Sequence, residues 1–555
     1  MTSSSRAPRG FSGARRRMLA GAAALPLFAL GRSTAAPAVG ADPLCGQPAA
    51  ASRLHVPGAS GYLGRLAPRG APLTLLATTG DGTTPGRLAY RVRHAGRDYV
   101  NPTLVLRPGE RVRITLDNRL DAPTIAHWHG LAVDTANDGA GLRLVAPRER
   151  FAYDFEVRNR GALYWYHPHP HGATARQTYD GLFGVIDVDD DDHAALRRAL
   201  DLVPGRTELT LVVQDRRRGG YGAGAQHARH GFLGDEAYVN GAPCPFVDAA
   251  SRAYRLRLLN ACNARTLRLA FRTAAGARVP FTVVGNDGGL LPAPVAAQEA
   301  FVAAAERLDL VLDLTAAPLG ETIVMESLAF DPMHGEVSPA DASAGPDTAP
   351  PPAAHDDHVR DGSVAATSAT GTPSRVDAAA WPDGGARALM TLRVRERVRY
   401  DRRMPATLSR IAPFDTTGAR ERPLRLGFNK GRWRINDRVF AMGETPIEVA
   451  RNSTEIWLLR NYHTSMPHAM HLHGFPFEVQ ERETSPDAVA ALAVDAHARL
   501  ASDLGRKDTV LVWPGESVRV ALRFDMPWPG AQTYMFHCHN LEHEDGGMML
   551  GVRVA

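Results

Sequence analysis

Residues 537–549, HCHNLEHEDGGMM, contain three histidines, one cysteine, three acids and two methionines in thirteen positions. Imidazole, thiolate and thioether groups are ligands that transition metals favour, so this stretch predicts a metal site. A polar loop that acquired these residues by chance is the alternative interpretation. The rest of the chain distinguishes between the two.

Histidines separated by one residue form pairs at several places in the chain, including residues 537–549. Residues i and i+2 of a strand point to the same face, so each pair offers two imidazoles on one side. Eight imidazoles exceed the need of one or two metal ions, but they suit a cluster of three that keeps positions open for a substrate. The pairs are His127/His129, His167/His169, His471/His473 and His537/His539.

Cys538 indicates which metal the histidines would bind. A cysteine with two histidines and a weak methionine is the ligand set of a blue-copper electron-transfer site. On a strand, Cys538 points away from the face that carries His537 and His539, so it would connect two metal sites by a covalent path. The other candidate ligands near it are His468, His543 and Met548.

Alternating apolar and polar residues predict β-strands throughout the chain. Helical periodicity is limited to short stretches near 192–201 and 486–501. These patterns predict an all-β fold of antiparallel sandwiches rather than a sheet built from βαβ units. The clearest strands are RVRITLDN (111–118), YRLRLLN (254–260), EIWLLRN (455–461) and SVRVALRFD (517–525).

Three of these strands end in an asparagine, and the asparagines are spaced regularly. Asn118, Asn260 and Asn461 follow one another at intervals of 142 and 201 residues. The excess of 59 residues matches an insert at about 329–386 that is rich in Pro, Ala, Ser, Thr and Asp. Without it the chain becomes three repeats of about 140 residues, which predicts a triplicated β-sandwich. The histidine pairs occur only in the first and third repeats.

Residues 1–41 have the composition of an export signal. They contain six arginines and no acid, and their apolar run is too short to span a bilayer. Arg15 and Arg16 resemble a twin-arginine signal, which exports folded proteins. Without this segment the formal charge falls from +5 to −1, so nothing favours a nucleic-acid partner. A basic disordered tail is the alternative interpretation of the segment.

Four cysteines are too few for a disulfide scaffold. If Cys538 binds a metal, Cys45, Cys244 and Cys262 allow one disulfide at most. Their spacing does not determine which pair forms it.

The four histidine motifs, taken in order, resemble the four copper motifs of the multicopper oxidases. They are HWH (127–129), HPH (167–169), HAMHLH (468–473) and HCHNLEHEDGGM (537–548), and the resemblance covers roughly residues 50–555. It implies three consecutive cupredoxin-like, Greek-key β-sandwich domains. Their expected limits are 42–195, 196–400 with the insert at 329–386, and 401–555, after a signal peptide at 1–41.

The resemblance also implies four coppers in each chain. The type 1 copper would be held by His468, Cys538, His543 and Met548. The type 2 copper would be held by His127 and His471. The type 3 pair would be held by His129, His167, His169, His473, His537 and His539. His171 has no counterpart in the family pattern and is left out.

The activity that the resemblance implies is a one-electron oxidation of substrate at the type 1 copper. Electrons then pass through Cys538 to the cluster, where dioxygen is reduced to two waters. His543 is expected to expose an imidazole edge to the substrate. Asp138 and Glu544 match acids that resemble the proton relay of periplasmic members. A turn residue before Gly139 and a solvated acid are the respective alternatives.

The expected partners are dioxygen and small reducing substrates, namely phenols, aromatic amines or cuprous ion. Residues 424–444 lack the methionine-rich segment of copper-efflux oxidases and retain only Met442. A laccase-like oxidase is therefore favoured over a cuprous oxidase. A copper-binding protein without turnover is a further alternative, as is a structural relative that has lost catalysis. The structural alternative predicts missing ligands, whereas all twelve are present.

The export signal predicts where the mature chain works. We expect a monomer that is periplasmic or secreted after handling by the twin-arginine export machinery. No nucleic acid and no stable membrane insertion are expected.

Overall fold

The computed structural model describes residues 52–82, 86–222, 225–335 and 381–555. Over these ranges the chain forms 33 strands and six short α-helices, which confirms the predicted all-β class. The predicted signal segment and most of the predicted insert lie outside the described residues. No helix in the described ranges is long and apolar enough to cross a membrane.

The first sandwich consists of a six-stranded and a five-stranded sheet. Its strands are β1 (Gly61–Tyr62), β2 (Arg65–Leu66), β3 (Leu73–Thr79), β4 (Leu88–His94), β5 (Arg97–Val100), β6 (Thr103–Leu106), β7 (Arg111–Asn118), β8 (Ala126–His127), β9 (Arg150–Glu156), β10 (Ala162–Pro168) and β11 (Gly184–Val188). The sheet orders are β1-β5-β4-β3-β7-β9 and β2-β6-β11-β10-β8. The two sheets enclose one apolar core that includes Trp128 and Tyr166.

The second sandwich consists of a seven-stranded and a five-stranded sheet. Its strands are β12 (Glu208–Arg216), β13 (Glu236–Val239), β14 (Ala242–Pro243), β15 (Phe246–Ala250), β16 (Ala253–Asn260), β17 (Leu267–Thr273), β18 (Phe281–Asn286), β19 (Gly289–Ala297), β20 (Glu299–Val302), β21 (Arg307–Asp313), β22 (Thr322–Ser327) and β23 (Arg387–Glu396). The sheet orders are β14-β13-β12-β16-β21-β18-β19 and β15-β23-β22-β17-β20.

The third sandwich consists of two five-stranded sheets. Its strands are β24 (Arg420–Asn429), β25 (Arg432–Ile435), β26 (Ile447–Val449), β27 (Thr454–Asn461), β28 (His468–Leu472), β29 (Phe477–Glu483), β30 (Thr509–Val512), β31 (Ser517–Arg523), β32 (Gln532–Cys538) and β33 (Met549–Val554). The sheet orders are β25-β24-β27-β31-β29 and β26-β33-β32-β28-β30. The predicted domain limits at 195 and 400 fall in the segments between the three sandwiches.

The four clearest predicted strands are β7, β16, β27 and β31 of the structure. The expectation of antiparallel sandwiches rather than βαβ units needs one correction, because each sandwich also contains a corresponding parallel pair. These pairs are β3 with β7, β12 with β16, and β24 with β27. Apolar alternation reports which face of a strand is buried, but it carries no information about the direction of the neighbouring strand.

The helices are α1 (Thr135–Asp138), α2 (Thr174–Tyr179), α3 (Asp191–Leu200), α4 (Ala225–His230), α5 (Asp487–Ala490) and α6 (Leu541–Asp545). Helix α3 confirms the predicted helix near 192–201. The helix predicted over 486–501 is wrong for most of its length, because only α5 is helical there. Leu492 and Leu500 instead pack against an apolar cluster that contains Phe301 and Trp513, so tertiary packing overrides the local preference.

The predicted insert at 329–386 extends too far at its C-terminal end. Trp381 is buried in the core of the second sandwich, and the Arg265 guanidinium lies 3.9 Å from the centre of its ring. Arg265 also donates hydrogen bonds to the carbonyl oxygens of Trp381 and Pro382. A prediction based on composition misses a single buried apolar residue, such as Trp381, within a segment rich in polar and small residues.

Candidate metal centre

Strand pairing in the first and third sandwiches brings the histidine motifs together. His167 of β10 lies opposite His127 of β8, and His537 of β32 lies opposite His471 of β28. All ten predicted ligand histidines are fully buried. They are His127, His129, His167, His169, His468, His471, His473, His537, His539 and His543.

Eight of these histidines form three adjoining groups in which the nitrogens of each group lie within 4.8 Å of one another. Every group takes histidines from both the first and the third sandwich. The groups are His127/His129/His471, His129/His167/His539 and His169/His473/His537.

The spacing of the nitrogens indicates a common centre. The Nε2 atoms of His473 and His537 are 3.1 Å apart, and those of His539 and His167 are 3.4 Å apart.

Unpartnered ring nitrogens show that these histidines fit copper. Burial lowers the pKa of His167 to about 4 and that of His471 to about 3, so both rings are neutral and keep a lone pair. A buried nitrogen without a partner is costly unless a ligand satisfies it, and imidazole suits copper. The buried ring nitrogens without a hydrogen-bond partner include His127 Nε2, His129 Nδ1, His169 Nδ1, His471 Nε2 and His539 Nδ1.

The opposite nitrogens of several rings are held by the protein. His127 Nδ1 donates to the backbone oxygen of Asp138 at 2.7 Å. His471 Nδ1 donates to the backbone oxygen of Asp508 at 2.8 Å. These bonds fix the ring orientation and direct each Nε2 towards the common centre, as is usual for metal-binding histidines.

Cys538 faces the opposite side of β32, as the strand alternation predicts. Its Sγ lies 3.5 Å from His468 Nδ1 and 3.6 Å from His543 Nδ1, and the three residues form a separate buried group. Burial raises the pKa of the Cys538 thiol to about 12, so a metal that binds there has to displace the proton. Met548 is buried in the same apolar core, and its backbone oxygen accepts from Cys538 N at 3.1 Å.

Asp138 joins histidines of two sandwiches. Its Oδ2 lies 2.8 Å from His473 Nδ1, and its Oδ1 lies 3.6 Å from His127 Nδ1. Gly139 ends helix α1 with a φ of 71°, and a Cβ there would collide with the Ala126 carbonyl oxygen. The turn and the histidine contact therefore occur together, because the glycine lets α1 end where Asp138 reaches the cluster.

Glu544 makes the reciprocal connection from the third sandwich. Its Oε1 lies 3.4 Å from His169 Nε2, and its Oε2 lies 3.3 Å from His537 Nδ1. Burial raises the pKa of this carboxyl well above its usual range. The alternative of a solvated acid is wrong, because the side chain is 1% exposed.

Asp508 is a residue of the site that the sequence analysis missed. Its Oδ1 lies 3.1 Å from His129 Nε2 and also accepts from Arg307 Nη1 at 2.9 Å. Arg307 belongs to the second sandwich, which contributes no predicted ligand. The only signal in the sequence is a lone acid before β30, and no local pattern connects it with an arginine 201 residues earlier.

The expectation that His543 exposes an imidazole edge is wrong. His543 Nε2 donates to the backbone oxygen of Arg229 at 2.9 Å, and the side chain is fully buried. Trp433 Nε1 donates to the same oxygen at 2.8 Å, and its ring lies 4.9 Å from the His543 ring. The backbone that covers His543 belongs to the segment around α4 in the second sandwich. The motif around His543 does not encode this long-range contact.

The structure also places His171 and the cysteines. His171 lies 5.7 Å from the His169 ring, but it belongs to none of the ligand groups found among the described residues. Cys262 and Cys538 are free and buried, whereas Cys244 is disulfide-bonded.

Comparison with known proteins agrees with this geometry. Family models described as multicopper oxidase match residues 78–193 and 415–555. The multicopper oxidase McoA of the hyperthermophile Aquifex aeolicus has a crystal structure with a TM-score of 0.74 and 30% identity. The match covers 91% of this chain and 100% of that one. The chain belongs to the multicopper oxidase family, and this membership supports copper binding and an oxidoreductase activity.

Two further relatives show the breadth of the resemblance. The multicopper oxidase mco of Staphylococcus haemolyticus is 27% identical over 464 residues, which cover 82% of each chain. The cell division protein FtsP of Yersinia pestis is 27% identical over 484 residues, which cover 86% of this chain and 88% of that one.

Proposed function

We propose that this chain is a laccase-like oxidase that takes single electrons from phenols and aromatic amines and reduces dioxygen to two waters. The observation that carries the proposal is the position of Cys538. Its sulfur lies in one ligand group, while its neighbours His537 and His539 lie in the adjoining groups. Such a strand would connect an electron-accepting site directly to the histidine cluster.

The ligand groups support the copper assignment made from the family resemblance. His468, Cys538, His543 and Met548 would hold a type 1 copper. His127 and His471 would hold a type 2 copper, and the remaining six histidines of the cluster would hold a type 3 pair. When bound, the four coppers supply one-electron transfer and the four-electron reduction of dioxygen. Four phenols each give one electron, and one dioxygen with four protons becomes two waters.

The protein's own groups orient the histidines and handle protons. Asp138 contacts His127 and His473, and Glu544 contacts His169 and His537, so an acid reaches both sides of the cluster. Each carboxyl is positioned to hold a proton beside the place where water forms. Complete burial of the rings keeps bulk water away from the cluster.

Cuprous ion is a second candidate substrate because one methionine lies exposed near the third sandwich. The Met442 side chain is 58% exposed, and Phe440 beside it packs 4.6 Å from the His171 ring. A single exposed thioether is a poor cuprous site compared with the several soft ligands that this ion favours. Phenols therefore remain the favoured substrates.

The similarity to FtsP raises a structural role without turnover as an alternative. A protein that had lost catalysis would not be expected to keep unpartnered, buried ring nitrogens in three adjoining groups. Since burying them is costly without a metal, their presence supports an oxidase. Copper storage without dioxygen reduction is tested by the experiment below.

We also propose that the chain acts in the periplasm or outside the cell after export by the twin-arginine machinery. The support is the composition of residues 1–41, which contain Arg15 and Arg16 and no acid. Fusing these residues to a folded reporter and measuring export in cells with and without that machinery tests this part. Export in both strains would contradict it.

Dioxygen uptake by the copper-loaded chain tests the main proposal. We expect uptake with 2-methoxyphenol, without peroxide and without dependence on added copper. Dioxygen uptake that requires cuprous ion would instead favour a function in copper detoxification. No uptake with either reductant, in protein that holds its copper, would overturn the oxidase assignment and favour storage.

A further inference from the structure

A cavity of about 720 Å³ lies between the first and second sandwiches, a volume suited to a small molecule. Its lining combines guanidinium groups with phenol rings, and we call it the arginine cavity. The residues that define it are Arg87, Arg216, Arg217, Arg218, Tyr62, Tyr179 and Tyr238.

The charge of the arginine cavity favours an anion. Of the described residues that line it, Asp180 alone is acidic, and its carboxylate is already bound by Arg176 Nε at 2.6 Å. Arg218 Nε is paired with Glu236 Oε1 at 2.9 Å, and Arg217 Nε lies 3.8 Å from Asp235 Oδ2. Among the described residues, Arg87 and Arg216 are therefore the lining guanidinium groups that no acid neutralises. Guanidinium groups bind carboxylates through paired, charge-assisted hydrogen bonds.

Arg216 is held in a fixed position within the cavity. Its guanidinium lies 5.0 Å from the centre of the Tyr179 ring and donates hydrogen bonds to the Tyr179 backbone oxygen and to Gln214 Oε1. Its Nε is buried and has no hydrogen-bond partner. The rings of Tyr62, Tyr179 and Tyr238 in the same lining add aromatic surface beside this positioned cation, which favours an aromatic acid over an inorganic ion.

Aromatic contacts lead from the arginine cavity towards the type 1 ligands. The Tyr179 ring lies 5.3 Å from the Tyr221 ring, and Tyr221 Oη donates to Glu542 Oε1 at 3.1 Å. Glu542 precedes His543 in helix α6, so the side chains of Tyr179, Tyr221 and Glu542 and one peptide connect the cavity with His543. The direct route to His543 is closed by the backbone of Arg229.

We propose that the arginine cavity binds phenols that carry a carboxylate, and that their electrons reach the type 1 centre by tunnelling through Tyr179 and Tyr221. This inference rests on the proposed oxidase function and defines its substrate class. Each phenol loses one electron to the type 1 centre and its hydroxyl proton to solvent, and it leaves as a phenoxyl radical. Four such oxidations supply the four electrons for one dioxygen, which takes up four protons and becomes two waters.

Binding is tested first, with a compound that the enzyme cannot consume readily. The probe is 3-(3,4-dimethoxyphenyl)propanoate, which lacks a phenolic hydroxyl, titrated calorimetrically into the copper-loaded full chain. We expect the acid to bind at least tenfold more tightly than its methyl ester, as the loss of a charge-assisted hydrogen bond implies. Equal affinity for acid and ester would overturn the proposal.

Variants locate the binding site. Arg87→Gln removes an exposed guanidinium, and Arg216→Gln removes the one stacked on Tyr179; both should lower the affinity for the acid and leave the ester unchanged. Arg278→Gln is the matched control, because Arg278 forms a surface ion pair with Glu326 at 2.9 Å on another face of the second sandwich. If Arg216→Gln does not fold, the affinity of Arg87→Gln for the acid still tests the assigned site. An affinity that neither variant changes would contradict the assigned site.

The electron path is tested with 3-(4-hydroxy-3-methoxyphenyl)propanoate and its methyl ester, whose saturated spacer keeps the two ring potentials similar. We expect a lower KM for the acid, lost in Arg87→Gln with kcat unchanged. Tyr221→Leu should slow bleaching of the type 1 absorption by the bound acid, and Tyr221→Phe, which keeps the ring but loses the hydrogen bond to Glu542, should slow it less. Unchanged bleaching in Tyr221→Leu would overturn the path. Probe binding without dioxygen uptake would instead overturn the proposed function and leave the site intact.

Discussion

Strands β10 and β32 occupy equivalent places in the first and third sandwiches and differ at one decisive position. In both strands the first histidine lies opposite a histidine of the neighbouring strand, His127 in one case and His471 in the other. The residue that follows is Pro168 in β10 and Cys538 in β32. One sandwich therefore offers only cluster histidines, whereas the other offers a second metal site behind them.

The difference extends to the neighbouring strand. His468 precedes His471 by three residues, and Thr124 takes the same place before His127. Thr124 is fully buried, and its hydroxyl donates to Gln177 Oε1 at 2.7 Å. A hydrogen-bonded polar pair thus occupies the place where the third sandwich has a metal ligand. Both sandwiches therefore contribute histidines to the cluster face, whereas only the third sandwich carries metal ligands on the opposite face among the described residues.

Replacement of the cysteine should abolish the difference between the two strands. In Cys538→Ser we expect loss of the blue thiolate–copper absorption and a fall in oxidase activity of about 10³-fold or more, because the electron path from the type 1 site is removed. Absorption spectra, copper content and dioxygen uptake measure this. Cys262→Ser, at the other free buried cysteine, is the matched control and should keep the blue colour. A blue, active Cys538→Ser protein would refute the assigned role.

Replacement of an acid tests whether the cluster face needs more than histidines. Glu544→Gln keeps the shape of the side chain but removes its carboxyl, so we expect reoxidation by dioxygen to slow about 10²-fold while reduction of the type 1 centre is unchanged. Stopped-flow absorption separates the two half-reactions. Asp545→Asn is the control, because Asp545 accepts from the backbone amides of Thr174 and Ala175 and contacts no ligand histidine among the described contacts. Equal slowing in both variants would indicate a merely structural effect.

Replacement of the proline should have the smallest effect. Pro168 lies opposite the cluster face of β10, where no metal is expected. Pro168→Ala should keep the blue absorption and an oxidase rate within about twofold of the parent, with a loss of roughly 1 kcal/mol in the free energy of unfolding from lost packing. Spectra, dioxygen uptake and thermal unfolding check these three outcomes. Loss of the type 1 signal would show that the first sandwich contributes to that site.

The histidine cluster could be predicted from the sequence because its information is local and repeated. Strand alternation places residues i and i+2 on one face, and the same spacing occurs in the first and third repeats. The opposite direction of Cys538 follows from the same rule. Strands such as β7 and β27 were predictable for this reason as well.

The remaining parts of the site depend on contacts between distant segments. Arg229 covers His543, and Arg307 holds Asp508 beside His129, but none of these pairs leaves a trace in local spacing. Trp381 shows the same limit in the fold, because the composition around it resembles an insert while its ring fills the core. Parallel strand pairing was not predictable either, because it is set by the chain connections.

The meeting of the first and last sandwiches also determines when this centre can form. Asp138 and His473 are 335 residues apart in the chain, and His129 and Asp508 are 379 residues apart. Contacts over such separations form late in folding, because a long loop has to close before they stabilise it. The centre can be completed only after the third sandwich has been synthesised, since every histidine group of the cluster takes residues from both the first and the third sandwich. A complete metal centre therefore requires that the first and third sandwiches have already come together.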